Sequence, residues 1–161
     1  MQLESPSNQE TKIIVYKSAR RLELWHGALC LGVYPVGLGR APRKPKETEG
    51  DGRTPEGEYY VCTRNAQSRF YLSLGIAYPN VDDAEKAFKQ GRIDAPVYEQ
   101  ICHAIKVRTR PPWHTPLGGA IMIHGGGSQT DWTQGCVAVE DEVMDILWSY
   151  AALGTLVLFC P

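Results

Sequence analysis

Apolar residues recur along this chain first at a spacing of two and later at spacings of three and four. Thr11–Tyr16 is β-branched and aromatic, Leu22–Trp25 follows a polar turn, and Leu29–Val36 follows His26-Gly27, which predicts a β-hairpin or meander. Glu58–Arg64 and Phe70–Ile76 predict two more strands, Ala120–Ile123 a buried one and Val137–Val139 a short one. Between them, residues 37–57 form a polar loop holding Pro42, Pro45, Pro55 and five glycines. Loops of that length in a compact domain are usually functional or mobile. Asp82 or Asp83 can cap a short helix ending at Gly91. A second helix starts near Asp94, with Pro96 in its first turn and Val97, Ile101 and Ile105 on one face. Alternation at Lys106, Arg108 and Arg110 then predicts an extended segment with three cations on one side. The clearest helix is Asp141–Leu153, where Val143, Ile146, Leu147, Tyr150 and Ala151 share a face. Gly154 stops it, and Thr155–Cys160 closes as a strand. The sum is about eight strands and three helices: a mainly β fold with attached helices, not alternating βαβ units.

Composition narrows the class. The 161 residues fit a single domain over 1–161, long enough to bury roughly 68–70% of the unfolded surface. A net charge of −1 argues against a dedicated nucleic-acid binder. The charge is uneven, because residues 1–46 carry eight basic and three acidic side chains. Such asymmetry can steer an anionic ligand, though it is more often a solvated face. The most apolar window, Ile146–Phe159, spans 14 residues and is interrupted by Ser149, Gly154 and Thr155. A membrane span needs about 20, so none is expected. Met1–Lys12 is polar and shows no export signal, which leaves a cytosolic protein or one whose signal was removed. Five cysteines without close-spaced pairs exclude a full disulfide framework.

The chemistry concentrates in Ile121-Met-Ile-His124-Gly-Gly-Gly-Ser-Gln-Thr-Asp131-Trp132-Thr133-Gln134-Gly135-Cys136-Val137. A buried strand delivers a histidine into a glycine-rich loop, and a cysteine behind a glycine opens the next apolar strand. Adjoining strand ends could hold a thiol–imidazole pair, which needs about 2.6–3.2 Å between base and nucleophile. A neighbouring imidazole would lower the thiol pKa and produce a thiolate. Gly135 permits a sharp turn that aims successive N–H groups at a developing oxyanion. Taken singly, Cys136 reads as a structural thiol and His124 as a hydrogen-bonded core histidine. Gly125, Gly126, Gly127 and Gly135 in one stretch favour close approach to a ligand.

These residues resemble the signature of the YkuD-type L,D-transpeptidase domain: His124-Gly125, a spacer, then Thr133-x-Gly135-Cys136, with Asp131-Trp132 marking a subgroup. Gly50-Asp-Gly-Arg-Thr54-Pro55-Glu-Gly57 resembles that family's upstream turn and Tyr78-Pro79-Asn80 a further segment, so the likeness runs from about Lys12 to Cys160. The resemblance implies a β-sandwich or barrel-like domain, acting on peptidoglycan stem peptides in the periplasm or cell envelope. It implies Cys136 as nucleophile, His124 as base, the Gly125 carbonyl as orienter of the imidazole, and N–H groups of Gly135 and Cys136 as oxyanion donors. The cysteine would attack the carbonyl preceding a terminal D-amino acid, form a thioester and pass the acyl group to an amine. Carbapenem-type β-lactams would be covalent inhibitors, and no metal or organic cofactor is implied. Two positions depart from the pattern: Gln134 stands where many members have histidine, and Ala138 where many have arginine. Arg53, Arg108 or Arg110 could supply the missing cation. Thr133, Gln134, Trp132 and Tyr78 complete the expected substrate contacts.

Other readings stay in view. The same acyl-enzyme serves an L,D-carboxypeptidase, or a hydrolase of murein cross-links or lipoprotein links. A non-catalytic cell-wall-binding module would keep the fold without needing Cys136 opposite His124. His124-Gly-Gly-Gly127 also resembles the oxyanion motif of lipase-type hydrolases, but no Gly-x-Ser-x-Gly elbow accompanies it. Glu47, Glu49, Asp51, Gly52 and Glu58 fall at calcium-loop spacing, with prolines and a strand where helices are required. A zinc site from Cys102, His103, His124 and Cys136 lacks ligand spacing. Gly37-Leu-Gly39 lacks the third glycine of a dinucleotide loop.

Overall fold

A computed structural model describes residues 10–161. The polar N-terminal run read for an export signal lies, up to residue 9, outside the described residues. The chain forms β1 (Thr11–Tyr16), β2 (Arg21–His26), β3 (Leu29–Pro35), β4 (Gly57–Ser68), β5 (Tyr71–Ile76), α1 (Val81–Lys89), α2 (Ala95–Lys106), β6 (Met122–His124), β7 (Val137–Ala138), α3 (Asp141–Tyr150) and β8 (Leu156–Cys160). The strands make one curled sheet in the order β3-β2-β1-β8-β4-β5-β6-β7. The expected mainly β fold with three helices is what the chain adopts.

Alternation builds the core directly. Ile13 pairs with Leu24 on one side and Val157 on the other, Val15 with Leu22 and Phe159, and Tyr59 with Val157. All of these side chains are buried. Period-two burial is what a half-covered strand requires, because successive side chains point to opposite faces. The long β4 joins the two halves of the sheet: residues 57–60 pair with β8, and residues from Val61 onward pair with β5. In the second half, Leu74, Ile123 and Val137 form a buried row across β5, β6 and β7. Helix α3 closes over this half, burying Val143, Met144 and Leu147.

Several boundaries moved for local reasons. Helix α1 starts after Asn80, not at Asp82 or Asp83, because Asn80 accepts from the Asp83 N–H while Asp83 accepts from the Asn80 N–H, a reciprocal capping box. Helix α3 ends at Tyr150, short of Leu153. Strand β6 is shifted toward His124, which lies within it. The expected extended run of three cations is overturned: Lys106 is the last residue of α2, and Arg108 has φ +60°, a left-handed conformation that breaks the alternation. The Arg108 guanidinium sits 4.2 Å from the Tyr60 ring centre and donates to the Gly154 carbonyl at 3.0 Å. Arg110 stacks instead on Trp113 at 4.8 Å.

The polar 37–57 loop is a strap across the strand ends. Gly37 exchanges two backbone hydrogen bonds with Ala138, each 2.9 Å. Thr133 donates to Leu38 and accepts from Arg40. Asp131 accepts from the Leu38 N–H at 3.0 Å and holds Arg20 through both carboxylate oxygens. Burial works against this carboxylate, but the Arg20 guanidinium and the amide overcome it and keep Asp131 below the usual carboxylate range.

Leu147 is wholly buried beneath the sheet. Leu147→Ala is expected to lower the unfolding free energy by about 2–5 kcal/mol, the cost of lost transfer energy plus a cavity, as measured by urea denaturation.

Candidate active site

Strands β6 and β7 run parallel, with Ile123 opposite Val137 and His124 opposite Ala138. That register sets Cys136, one residue before β7, beside the start of β6: the Met122 N–H donates to Cys136 Sγ at 3.4 Å. His124 lies at the other end of the same short strand, 3% exposed. Its Nδ1 is 2.6 Å from the Gly125 carbonyl oxygen. A carbonyl can only accept, so Nδ1 carries the proton and Nε2 is the basic nitrogen. The Phe70 ring stacks on the imidazole at 4.5 Å between centres, and Trp132 meets it edge-on at 5.5 Å. Trp132 is fixed in turn by donating its indole N–H to the Gly127 carbonyl at 3.0 Å.

The glycine-rich loop is held from both sides. Gly125 donates to the Phe70 carbonyl, Gly127 to that of Val139, and Val139 to that of His124. Gly126 donates to Asp141 Oδ1 at 3.0 Å, and Ser128 donates to Glu140 through both its N–H and its hydroxyl. Thr133 is buried: its hydroxyl donates to the Cys136 carbonyl at 2.7 Å and accepts from the Gly135 N–H at 3.1 Å. Gly135 has φ +137°, and a Cβ there would stand 2.7 Å from the Arg53 carbonyl oxygen, so no side chain fits.

Two expectations about this centre change. Among the hydrogen bonds of the described residues, none joins the thiol to the imidazole; the Cys136 S–H donates to the Ala120 carbonyl at 3.6 Å instead. Burial also disfavours the charged forms of both groups. Burial pushes the Cys136 thiol up, and the Met122 N–H and the Lys46 charge only partly oppose it. Burial likewise lowers His124, against the Gly125 carbonyl, which favours the imidazolium. A neutral thiol and a neutral imidazole suit proton transfer during attack rather than a preformed ion pair. The oxyanion expectation changes as well: the Gly135 N–H is spent on Thr133, while the Cys136 N–H donates to no protein acceptor among the described residues.

The remaining expected residues separate. Gln134 is exposed and Trp132 half-buried at the loop surface. Arg53 is brought to the site by its backbone, packed on Gly135. Tyr78 is fully buried, its hydroxyl donating to the Leu117 carbonyl at 2.9 Å, so it shapes the core and offers no surface to a ligand. No hydrogen bond or ion pair joins Arg108 or Arg110 to the loop bearing Cys136 among the described residues. Phe70 and Lys46 escaped the sequence reading as site residues, and Asp131 was read only as part of a motif, not as an anchor of the strap. Phe70 sits at a hairpin end, Lys46 looks like an ordinary surface charge in a polar stretch, and nothing local to Asp131 points to Arg20 or Leu38.

The fold has a counterpart among known proteins. A model of the YkuD L,D-transpeptidase catalytic domain matches residues 10–158. The chain belongs to that family. Among solved structures, this L,D-transpeptidase domain is similar to Bdellovibrio bacteriovorus Bd1075, with 22% identity, a TM-score of 0.61, and coverage of 96% of this chain and 49% of that one. It is similar to the helical cell shape determining protein Pgp2 from Campylobacter jejuni, with 18% identity, a TM-score of 0.62 and coverage of 95% and 48%. An LD transpeptidase, LdtMt1, solved in complex with imipenem, matches with 11% identity, a TM-score of 0.54 and coverage of 94% and 59%. The L,D-transpeptidase domain thus spans about half the length of the first two, and the likeness at these identities is one of fold. No curated protein matches the sequence.

If the resting pair is neutral, the midpoint of Cys136 alkylation by iodoacetamide should lie on the alkaline side of that of a free cysteine. Peptide mass spectrometry across a pH series reads it, and an acidic midpoint would indicate a thiolate–imidazolium pair.

Proposed function

We propose that this domain is a cysteine-dependent acyltransferase of peptidoglycan stem peptides, an L,D-transpeptidase, with Cys136 as nucleophile and His124 as base. The observation that carries the reading is the 2.6 Å contact between His124 Nδ1 and the Gly125 carbonyl, which leaves Nε2 free to take a proton. In the proposed reaction the thiol turns from the Ala120 carbonyl, and its proton passes to His124 Nε2 as sulfur attacks the carbonyl preceding the terminal D-residue. The new C–S bond places charge on the former carbonyl oxygen, for which the unclaimed Cys136 N–H is a candidate donor. The imidazolium returns its proton to the departing amine as the C–N bond breaks, leaving a thioester. An amine of a second stem then attacks the thioester carbonyl while His124 takes its proton, and the C–S bond breaks as that proton passes to sulfur, which regenerates the thiol. Phe70 and Trp132 wall the imidazole and restrict its rotation and its exposure to water.

The acyl donor is a murein tetrapeptide, and the site of action is the cell wall. That LdtMt1 was solved in complex with imipenem supports the use of carbapenems as probes of this domain. Water in place of the amine would make the domain a carboxypeptidase, and the products distinguish the two.

Incubation with muropeptides and with imipenem is expected to give one covalent adduct at Cys136 and release of the terminal D-amino acid. Cys136→Ala should give neither, and retained turnover would move the nucleophile elsewhere. His124→Ala should slow acylation by about 10²–10⁴-fold, measured as single-turnover adduct formation. A smaller loss would remove His124 as the base.

A further inference from the structure

Lys46 is a buried cation that the reaction above does not use. It is 4% exposed, although lysine is almost never fully buried unless paired. Its Nζ donates to Asp51 Oδ1 at 3.0 Å and to the Thr48 carbonyl at 2.9 Å, and lies 5.9 Å from the centre of the Tyr78 ring. Asp51 also accepts from the backbone N–H groups of Glu47 at 2.8 Å, Thr48 at 3.0 Å and Arg53 at 3.1 Å. Burial opposes this carboxylate, but the three amides and the Lys46 ammonium overcome it and hold Asp51 below the usual range. One ion pair therefore gathers the whole turn over residues 46–53.

Both sides of this cluster lead to Cys136. On one side, the Arg53 carbonyl occupies the space beside Gly135, and the Gly52 carbonyl accepts from Ala41 while abutting Gly39, which itself lies against the Gly135 backbone. On the other, the Glu49 N–H donates to the Pro116 carbonyl at 2.9 Å. Gly118 lies so close that a Cβ there would be 3.2 Å from Lys46 Cε. Tyr78 fixes the same segment through the Leu117 carbonyl. That segment ends at Ala120, whose carbonyl receives the Cys136 S–H.

We propose that Lys46 is a positioning residue for Cys136: paired with Asp51, it locks the 46–53 turn against Gly135 and the 116–120 segment against the thiol, so that the Gly135–Cys136 peptide is held in one orientation toward the reacting carbonyl. Its charge has a second effect, since it favours the Cys136 thiolate. The role in turnover rests on Cys136 being the nucleophile; the role in thiol acidity does not.

The test compares Lys46→Met, Lys46→Arg and Asp51→Asn with the parent domain, using stem-peptide kinetics, the alkylation midpoint of Cys136 and thermal unfolding. Lys46→Met should lower kcat by about 10–100-fold, the scale of a small misplacement of reacting groups, with KM close to that of the parent. Its alkylation midpoint should move to higher pH. Lys46→Arg keeps the charge and a donor for Asp51, so it should recover part of both. Asp51→Asn should lose kcat without raising the midpoint, because the Lys46 charge remains. A folded Lys46→Met domain with an unmoved midpoint overturns the proposal, whether its kcat is normal or falls only in step with lost thermal stability. Should Lys46→Met not fold, a Lys46→Arg midpoint near the parent's together with the Asp51→Asn kcat loss supports the proposal, and an Asp51→Asn domain of parental kcat overturns it. If the parent releases no D-residue from any stem, the reaction assigned above fails, and the alkylation midpoints still decide the role of Lys46.

Discussion

Parallel pairing of β6 with β7 over two residues is the constraint on which the site depends. Side chains alternate along a strand, so a slip of one residue would turn every one of them to the opposite face. The register of Ile123 with Val137 sends two apolar side chains into the core and so pins the neighbouring positions. His124 and Cys136 then fall at opposite ends of one short strand pair, joined by the Met122 amide to the sulfur and by the Val139 amide to the histidine carbonyl. So short a ladder cannot hold itself. The strap from Gly37 to Arg40 adds four backbone hydrogen bonds to β7 and to the loop before it, and the Arg20–Asp131 pair ties that loop to the strap and to the β1–β2 turn.

Burial governs the electrostatics as much as the packing. The Cys136 thiol and the His124 imidazole are each pushed toward their neutral forms by removal from water. Desolvation penalises a charge more than a partner at a distance repays it, which disfavours the thiolate and the imidazolium alike. The 2.6 Å contact at Nδ1 then matters for its direction rather than its strength, since it selects which nitrogen is left basic. Around these two side chains, two ion pairs, Lys46–Asp51 and Arg20–Asp131, are spent on backbone placement. Each carboxylate accepts from main-chain amides as well as from its cation, which couples charge to loop geometry.

The parts of the fold legible in the sequence are those written in local patterns. Period-two alternation at Ile13 and Val15, Leu22 and Leu24, and Val157 and Phe159 marks the strands because one face of each is covered. The 3.6-residue period in 141–150 marks α3 for the same reason. The His-Gly and Thr-x-Gly-Cys elements stood out because chemistry and backbone freedom coincide within a few residues. Where reading failed, a local pattern met a tertiary competitor. Arg108 alternates correctly for a strand, yet the Tyr60 ring and the Gly154 carbonyl draw its side chain away and its backbone turns left-handed. Tyr78 sits in a motif, yet its ring is consumed by the core.

The sequence by itself determined which residues could bear the chemistry, that strands would deliver them, and that glycines would surround them, because residue type and short-range periodicity are properties of the chain alone. Only the tertiary structure decided the protonation preferences of His124 and Cys136, the engagement of the Gly135 amide by Thr133, and the assembly of Lys46, Asp51, Arg53 and Gly135 into one cluster. Those outcomes depend on burial and on contacts between segments far apart in the chain, and neither is encoded in any window of neighbouring residues.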